Sequence, residues 1–129
     1  MSGTATGEVY PFYHDGSLGA ATTITYSIRI NSLDFSPDGR YLAVGGRWND
    51  GGNYGKIYPF GSDGSLGVGI TIPFPTFIEK LEFSPDGNFL AMKGWSPTEG
   101  YLVKVYPFNF STGSLGPAIP ISVNSLFQC

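Results

Sequence analysis

The chain has little charge, one cysteine and one histidine among its 129 residues. Charged residues make up 13% of it, and the net charge is -3. Binding to a phosphate backbone requires clustered lysine and arginine, and the seven basic residues are scattered, so nucleic acid is not expected as a partner. The single cysteine, Cys129, excludes a disulfide within the chain.

Long apolar runs and targeting signals are also missing. No apolar run approaches the about 18 residues of a membrane span. Residues 1–7 lack the basic and apolar regions of a signal peptide. We therefore expect no membrane partner and a cytoplasmic location.

Turn-forming and aromatic residues are abundant instead. The chain has 19 glycines, 10 prolines and 16% aromatic residues, which is typical of a β-rich chain with many turns. So small a share of charge is also typical of a chain that covers much of its surface with partners.

Three short motifs recur along the chain, and successive copies of the first motif are separated by 48 residues. The triplet Tyr-Pro-Phe starts at Tyr10, Tyr58 and Tyr106, the tetrapeptide Gly-Ser-Leu-Gly at Gly16, Gly64 and Gly113, and the turn Ser-Pro-Asp-Gly at Ser36 and Ser84. A period of this length built from short strands indicates propeller blades. The chain holds about 2.7 such periods, too few to close a ring.

One repeat predicts four strands, named A to D. Alternating residues form A at 31–35, a Ser-Pro-Asp-Gly turn leads to B at 40–44, and a polar loop at 45–54 leads to C at 56–58. A hairpin turn at Asp63-Gly64 then leads to D at 65–72. Because proline removes a ladder hydrogen bond, Pro59 indicates either that strand C ends at Tyr58 or that a bulge follows it.

The same pattern divides the whole chain, taken as one propeller-type domain. Residues 1–30 are predicted to form strands C and D of a partial blade, 31–78 and 79–122 one blade each, and 123–129 strand A of a further, hybrid blade. In the second complete blade the strands are expected at 79–83, 88–92, 102–106 and 114–121.

Residues 33–44, Leu-Asp-Phe-Ser-Pro-Asp-Gly-Arg-Tyr-Leu-Ala-Val, and their second copy at 81–92 resemble repeats of WD40-like and lactonase-like β-propellers. The segments 56–60 and 105–108, each followed by a Gly-Ser-Leu turn, look like the third and fourth strands of lactonase-type blades. The resemblance implies an all-β fold, a partial β-propeller of four-stranded antiparallel blades. The Gly-His and Trp-Asp pairs of WD40 repeats proper are missing.

Similar repeats also occur in some phage virion proteins, so the resemblance adds a virion-associated location to the cytoplasmic one. A lactonase-type enzyme would need a whole ring with catalytic groups around its channel. This chain has one histidine, His14, and its recurrent acids, Asp38 and Asp86, lie in turns whose backbone they are expected to bind. We therefore expect no catalytic residue, metal ligand or cofactor.

A stack of two or three blades would expose apolar faces and unpaired strand edges. Both are covered if strand A at the C-terminus of one subunit meets the N-terminal C–D hairpin of the next, in a head-to-tail ring. The interface residues would be Glu8, Val9, Tyr10, Val123, Leu126, Phe127 and Cys129. A dimer would give about six blades and a trimer about nine; a ring completed by another protein and an open stack stay as alternatives.

Two tryptophans, each beside a cation, lie in the predicted B–C loops. Arg47 with Trp48, and Lys93 with Trp95, predict a surface that stacks on a sugar or a peptide. The alternative is that each tryptophan caps the apolar layer between blades.

Taken together, the sequence predicts a non-enzymatic structural, assembly or binding module that forms a multi-chain β-propeller scaffold, with a virion as one setting. A lectin-like adhesin that binds carbohydrate is one alternative function. A fragment of a lactonase-like enzyme is the other.

Overall fold

The computed structural model describes residues 5–26, 29–50, 53–96 and 100–121. The regular structure of these residues is β-strand, arranged in three antiparallel sheets. In this part of the chain, no helix has the length and apolar character that a membrane crossing requires.

The three sheets follow one another along the chain. The N-terminal hairpin consists of β1 (Ala5–Val9) and β2 (Thr22–Tyr26). The central blade consists of β3 (Arg29–Phe35), β4 (Tyr41–Asp50), β5 (Asn53–Pro59) and β6 (Ile70–Thr71), hydrogen-bonded in that order. The C-terminal blade consists of β7 (Ile78–Phe83), β8 (Phe89–Ser96), β9 (Gly100–Asn109), β10 (Ser114–Leu115) and β11 (Ile119–Pro120).

The turn between β3 and β4 has the chemistry that its sequence predicts. Gly39 has a φ of 75°, in the left-handed region where glycine carries no steric cost. One carboxylate oxygen of Asp38 accepts hydrogen bonds from the Ser36 hydroxyl at 2.7 Å and from the Arg40 N–H at 3.0 Å. The Ser36 hydroxyl in turn accepts the Tyr41 N–H at 3.1 Å.

The prolines of the Tyr-Pro-Phe triplets are accommodated without a common strand end. β5 ends at Pro59, whereas β9 continues through Pro107 in unbroken register with β8. The carbonyl of Pro59 accepts the Gly67 N–H at 2.8 Å, and a Cβ placed on Gly67 would lie 3.1 Å from the proline ring. Pro59 therefore still accepts a hydrogen bond within the hairpin through its carbonyl. Its ring fits there because Gly67 has no side chain.

Apolar residues fill the spaces between successive sheets. Strand β4 is buried on both faces: Leu42 and Val44 pack towards the N-terminal hairpin, whereas Tyr41 and Ala43 pack towards the C-terminal blade. Ile78 lies in the layer between the central and C-terminal blades and is fully buried.

Two glycines of the central blade make room for that isoleucine. A Cβ placed on Gly45 would lie 2.6 Å from Cγ2 of Ile78, and one placed on Gly55 would lie 2.7 Å from its Cδ1. The preceding layer repeats this contact, because a Cβ on Gly7 would lie 3.2 Å from Cδ1 of Ile30. An isoleucine seated over a glycine is thus a recurring element of the packing.

The loop predicted at 45–54 is wrong. Strand β4 continues to Asp50 and β5 begins at Asn53, so strands B and C form a long hairpin. The extension pairs with β3 as far as Arg47, opposite Arg29, and Asp50 pairs with Asn53 of β5. The second predicted loop differs in the same way, with β8 reaching Ser96 and β9 beginning at Gly100.

Strand D is shorter than predicted. In the central blade, the prediction of 65–72 reduces to a bridge between Phe60 and Leu66 and a two-residue strand, β6. Glycine weakens a strand interior because it has no side chain to pack. Gly67 and Gly69 lie between the two pieces, which accounts for the gap.

Candidate functional site

Of the four residues predicted to bind a ligand, the three with described side chains, Arg47, Lys93 and Trp95, do not form one cluster. Lys93 and Trp95 are alternate residues of β8 and so lie on one face of the C-terminal blade, the face turned away from the central blade. Arg47 lies on β4 of the central blade, and its guanidinium carbon is 4.9 Å from the ring centroid of Phe77. The backbone of Trp48 belongs to β4, and its side chain lies outside the described part of the structure.

Arg47 is therefore held by the segment that connects β6 to β7. The same segment fixes the end of β8, because the Thr76 hydroxyl donates to the carbonyl of Trp95 at 3.0 Å. A cation on an aromatic face contributes about 0.5–1 kcal/mol at an exposed site, which favours a structural role for Arg47. We did not predict this contact, because Phe77 is distant in sequence from Arg47.

The free side of the C-terminal blade forms an apolar surface, which we call the open C face. It comprises Phe89, Ala91, Lys93, Trp95, Tyr101, Val103, Val105 and Ile119. Trp95 and Tyr101 pair directly across β8 and β9, with 37% and 61% of their surface exposed. Phe89 is 39% exposed, whereas Tyr41, at the same position in the central blade, is 8% exposed.

A second apolar surface lies at the opposite end of the stack. We call it the open N face, and it comprises Glu8, Tyr10, Phe12 and Leu18. Phe12 is 75% exposed, whereas its counterpart Phe108 is 4% exposed. The Tyr10 hydroxyl donates to the Glu8 carboxylate at 2.6 Å, and that hydrogen bond, together with the carboxylate charge, raises the pKa of Tyr10.

The inner strand of the central blade is open as well. Leu33 of β3 is 45% exposed, whereas Leu81 of β7, at the same position one blade later, is 2% exposed. The difference follows from the neighbours. β7 packs on β3, whereas the N-terminal hairpin that precedes β3 supplies only the outer strands of a blade within the described residues.

A small cleft with two carboxylates lies between the two Ser-Pro-Asp-Gly turns. Asp38 and Asp86 line it together with Phe110, in a volume of about 190 Å³. Each carboxylate is engaged by its own turn, and the serine hydroxyl two residues before it lowers its pKa. Within the described residues, no group of three or more histidine, cysteine or acidic side chains is placed to hold a metal ion. His14 is exposed at the tip of the first hairpin.

The residues predicted at a subunit interface fall into three groups. Glu8 and Tyr10 lie on the open N face. Val9 points the other way and packs against the layer of Ile24, Leu42 and Val44. The remaining ones, Val123, Leu126, Phe127 and Cys129, lie outside the described residues.

Comparisons with known proteins agree with this architecture. The family model "WD domain, G-beta repeat" (WD40) matches residues 21–54. The chain has the fold of a partial β-propeller. As the sequence predicted, its repeats resemble those of WD40-like and lactonase-like propellers. A search of curated proteins found no match.

Two solved structures illustrate the likeness. A protein from Bacteroides fragilis, assigned as a 6-phosphogluconolactonase, superposes with a TM-score of 0.68 at 21% identity, over 89% of this chain and 33% of that one. A protein with the same assignment from Bacteroides uniformis gives a TM-score of 0.69 at 25% identity, over 89% and 35%. The chain thus spans about a third of the length of each, and the likeness concerns the fold.

Proposed function

We propose that the protein is a non-enzymatic β-propeller scaffold that works by joining further copies of itself into a larger assembly. The open inner strand of the central blade carries the proposal. Leu33 and Phe35 are exposed there, whereas Leu81 and Phe83 are buried at the same places one blade later. An apolar strip beside a strand edge is typical of a surface that another chain covers.

The contacts around β7 show what such a cover does within the chain. Side chains of β3 bind the backbone of β7: the Ser32 hydroxyl accepts the Leu81 N–H at 3.1 Å, and Asp34 accepts the Phe83 N–H at 2.9 Å. The Asn31 amide donates to the carbonyl of Ile78 at 2.8 Å. The inner strand of one blade thus satisfies polar groups of the next.

The sequence offers the same chemistry for β3 itself. Asn31 and Ser32 recur as Asn124 and Ser125, inside the segment 123–127 that is predicted to form strand A of a hybrid blade. In an assembly, this segment of one copy would lie beside β3 of the next and cover Leu33 and Phe35. A larger particle such as a virion is one setting for such an assembly.

A non-enzymatic role is supported by the state of the recurrent acids. In Asp38 and in Asp86, one carboxylate oxygen accepts hydrogen bonds from the residue's own turn. These hydrogen bonds lower the pKa of each group. A general acid or base works best with a pKa near the operating pH. These carboxylates are therefore better suited to holding turns.

The proposal is tested by native mass spectrometry and light scattering of the 129-residue chain over a series of protein concentrations. Species larger than the monomer are expected, and their share should grow with concentration. A chain that melts cooperatively and stays monomeric throughout the series would overturn the proposed function.

Carbohydrate binding is the second candidate, favoured by the exposed pair Trp95 and Tyr101 with Lys93 beside it. Aromatic faces next to a cation suit a sugar ring. A glycan array and thermal-shift measurements test it: a sugar that raises the melting temperature of the wild type, and not of Trp95→Ala, would establish it. Arg47→Ala is the control, because Arg47 is held at Phe77.

A further inference from the structure

We propose that the copies meet head to tail, the open N face of one on the open C face of the next, with Phe12 packed against Phe89. This inference rests on the proposed function, since it names the surfaces through which the scaffold would assemble. The occupant of each open face is thus a second copy of this chain.

The interface between the central and C-terminal blades provides the template. There, Tyr41 packs edge-on against Phe108, with ring centroids 5.2 Å apart, and Phe83 also packs edge-on against Phe108, at 5.1 Å. Phe89 stands 48 residues after Tyr41, and Phe12 stands 96 residues before Phe108. Each of the two open faces therefore carries a copy of one half of the aromatic contact, Phe89 on the open C face and Phe12 on the open N face.

The hairpin turns give an independent observation. A Cβ placed on Gly113 would lie 2.7 Å from the ring of Tyr41, and the Gly64 carbonyl accepts the Thr22 hydroxyl at 2.5 Å, so the preceding sheet covers both turns. Around the equivalent Gly16, no described atom lies within 4 Å of such a Cβ. The turn of the first hairpin thus has the same sequence as the two covered turns, but no described sheet packs against it.

The tyrosines of the Tyr-Pro-Phe triplets differ in exposure in the same way. Tyr106 is buried, and its hydroxyl donates to the Pro73 carbonyl at 3.2 Å, across the interface layer. Tyr10 is exposed on the open N face. In the proposed joint it would lie over Val105 and Ile119 of the other copy, as Tyr106 lies in the layer with Ile57.

The two faces also carry opposite charge. Glu8 replaces the lysines of the other two copies, Lys56 and Lys104, on the open N face. On the open C face, Lys93 replaces Gly45, and it is exposed. The inner strand β7 adds Lys80 and Glu82 beside this face, and their charges cancel. Opposite charges steer a head-to-tail encounter and disfavour like faces meeting.

Two variants each block one face. Phe12→Asp places a charge on the open N face, and Phe89→Asp places one on the open C face. Val68→Asp is the matched control, because Val68 is an exposed apolar residue outside both faces. Circular dichroism of each variant establishes that it is folded, and Ile119→Asp replaces Phe89→Asp if that variant unfolds.

Each blocked variant should lose the species larger than the monomer, whereas an equimolar mixture of the two should form a one-to-one heterodimer through the remaining intact faces. Val68→Asp should assemble like the wild type. A wild type that assembles while both blocked variants still assemble would overturn this inference and leave the proposed function standing. So would Phe89→Asp forming dimers alone, since that result indicates a joint between like faces. A monomeric wild type would overturn both and indicate that other blades or a different protein cover the faces.

Discussion

Ser36 and Ser84 occupy the same position in two nearly identical turns, but their surroundings differ. Each hydroxyl donates to the aspartate two residues later and accepts an N–H from the residue five positions later. Ser36 is buried, and Ser84 is half-buried. The turn at Gly87 lies over Pro37 and helps to shield the first turn, because a Cβ on Gly87 would lie 3.5 Å from the proline ring.

This difference predicts unequal costs for one substitution. Ser36→Ala removes the acceptor of a buried N–H, that of Tyr41, and should lower the free energy of unfolding by about 1–3 kcal/mol. Ser84→Ala should lower it less, because water can reach the Phe89 N–H. Urea unfolding of both variants, at a concentration where the chain is monomeric, measures the difference; equal losses would contradict the prediction.

At the residue scale, sequence was a good guide where the chemistry is local. The hydrogen bonds of Asp38 and the φ of Gly39 follow from a four-residue pattern. The placement of Arg47 was not predictable, because its partner, Phe77, is brought to it by the stacking of two blades.

At the element scale, the order of the strands within the described residues was predicted, and their lengths were not; strand D of the C-terminal blade is divided into two pieces, β10 and β11. The residues that carry β4 to Asp50 include Gly45, Gly46 and Asn49, which have low strand propensity. Gly45 and Gly46 are held in an extended conformation by pairing with β3, which a local pattern does not reveal. Gly45, which was predicted to lie in a loop, instead makes room for Ile78 in the interface, together with Gly55 just after that loop.

The contact between Gly55 and Ile78 predicts a coupling between two substitutions. Gly55→Ala places a methyl group against Cδ1 of Ile78 and should lower the free energy of unfolding by about 1–3 kcal/mol through overpacking. Ile78→Val, which removes Cδ1, should cost about 0.5–1.5 kcal/mol on its own and should reduce the cost of Gly55→Ala.

A double-mutant cycle by chemical denaturation measures this coupling. Gly45→Ala is the control, since a methyl group there meets Cγ2 of Ile78, which valine retains. Relief by Ile78→Val at Gly55 and not at Gly45 is the expected result. Equal relief at both positions, or none at either, would contradict the packing described.

On the scale of the whole molecule, apolar faces at both ends were predicted from the number of repeats, and the structure has them. Joining of copies stays a prediction. The structure also gathers aspartate turns at one end, and each aspartate is bound by a neighbouring serine hydroxyl that lowers its pKa. These aspartates are Asp15, Asp38, Asp63 and Asp86.

These turns predict a loss of stability in acid. A carboxyl group with a pKa below its ordinary 3.8 in the folded chain stabilises the fold when ionised, so its contribution is present at neutral pH and is lost as the pH falls below about 4. The melting temperature should therefore be nearly constant near neutral pH and fall in that acidic range. Thermal unfolding across the pH range, repeated with all four aspartates changed to asparagine, checks this; an unchanged slope in the variant would contradict it.

The isoleucine seated over a glycine has a consequence for folding. Gly7 and Gly55 each leave a hollow for an isoleucine, but the third copy has Val103 at this position, and its hollow is filled. Chains built from near-identical units risk stacking the wrong pair while they fold. Ile30 and Ile78 fit the glycines of their own neighbours, whereas an isoleucine docked on the last unit would meet the side chain of Val103. We therefore expect Val103 to disfavour that wrong order of units.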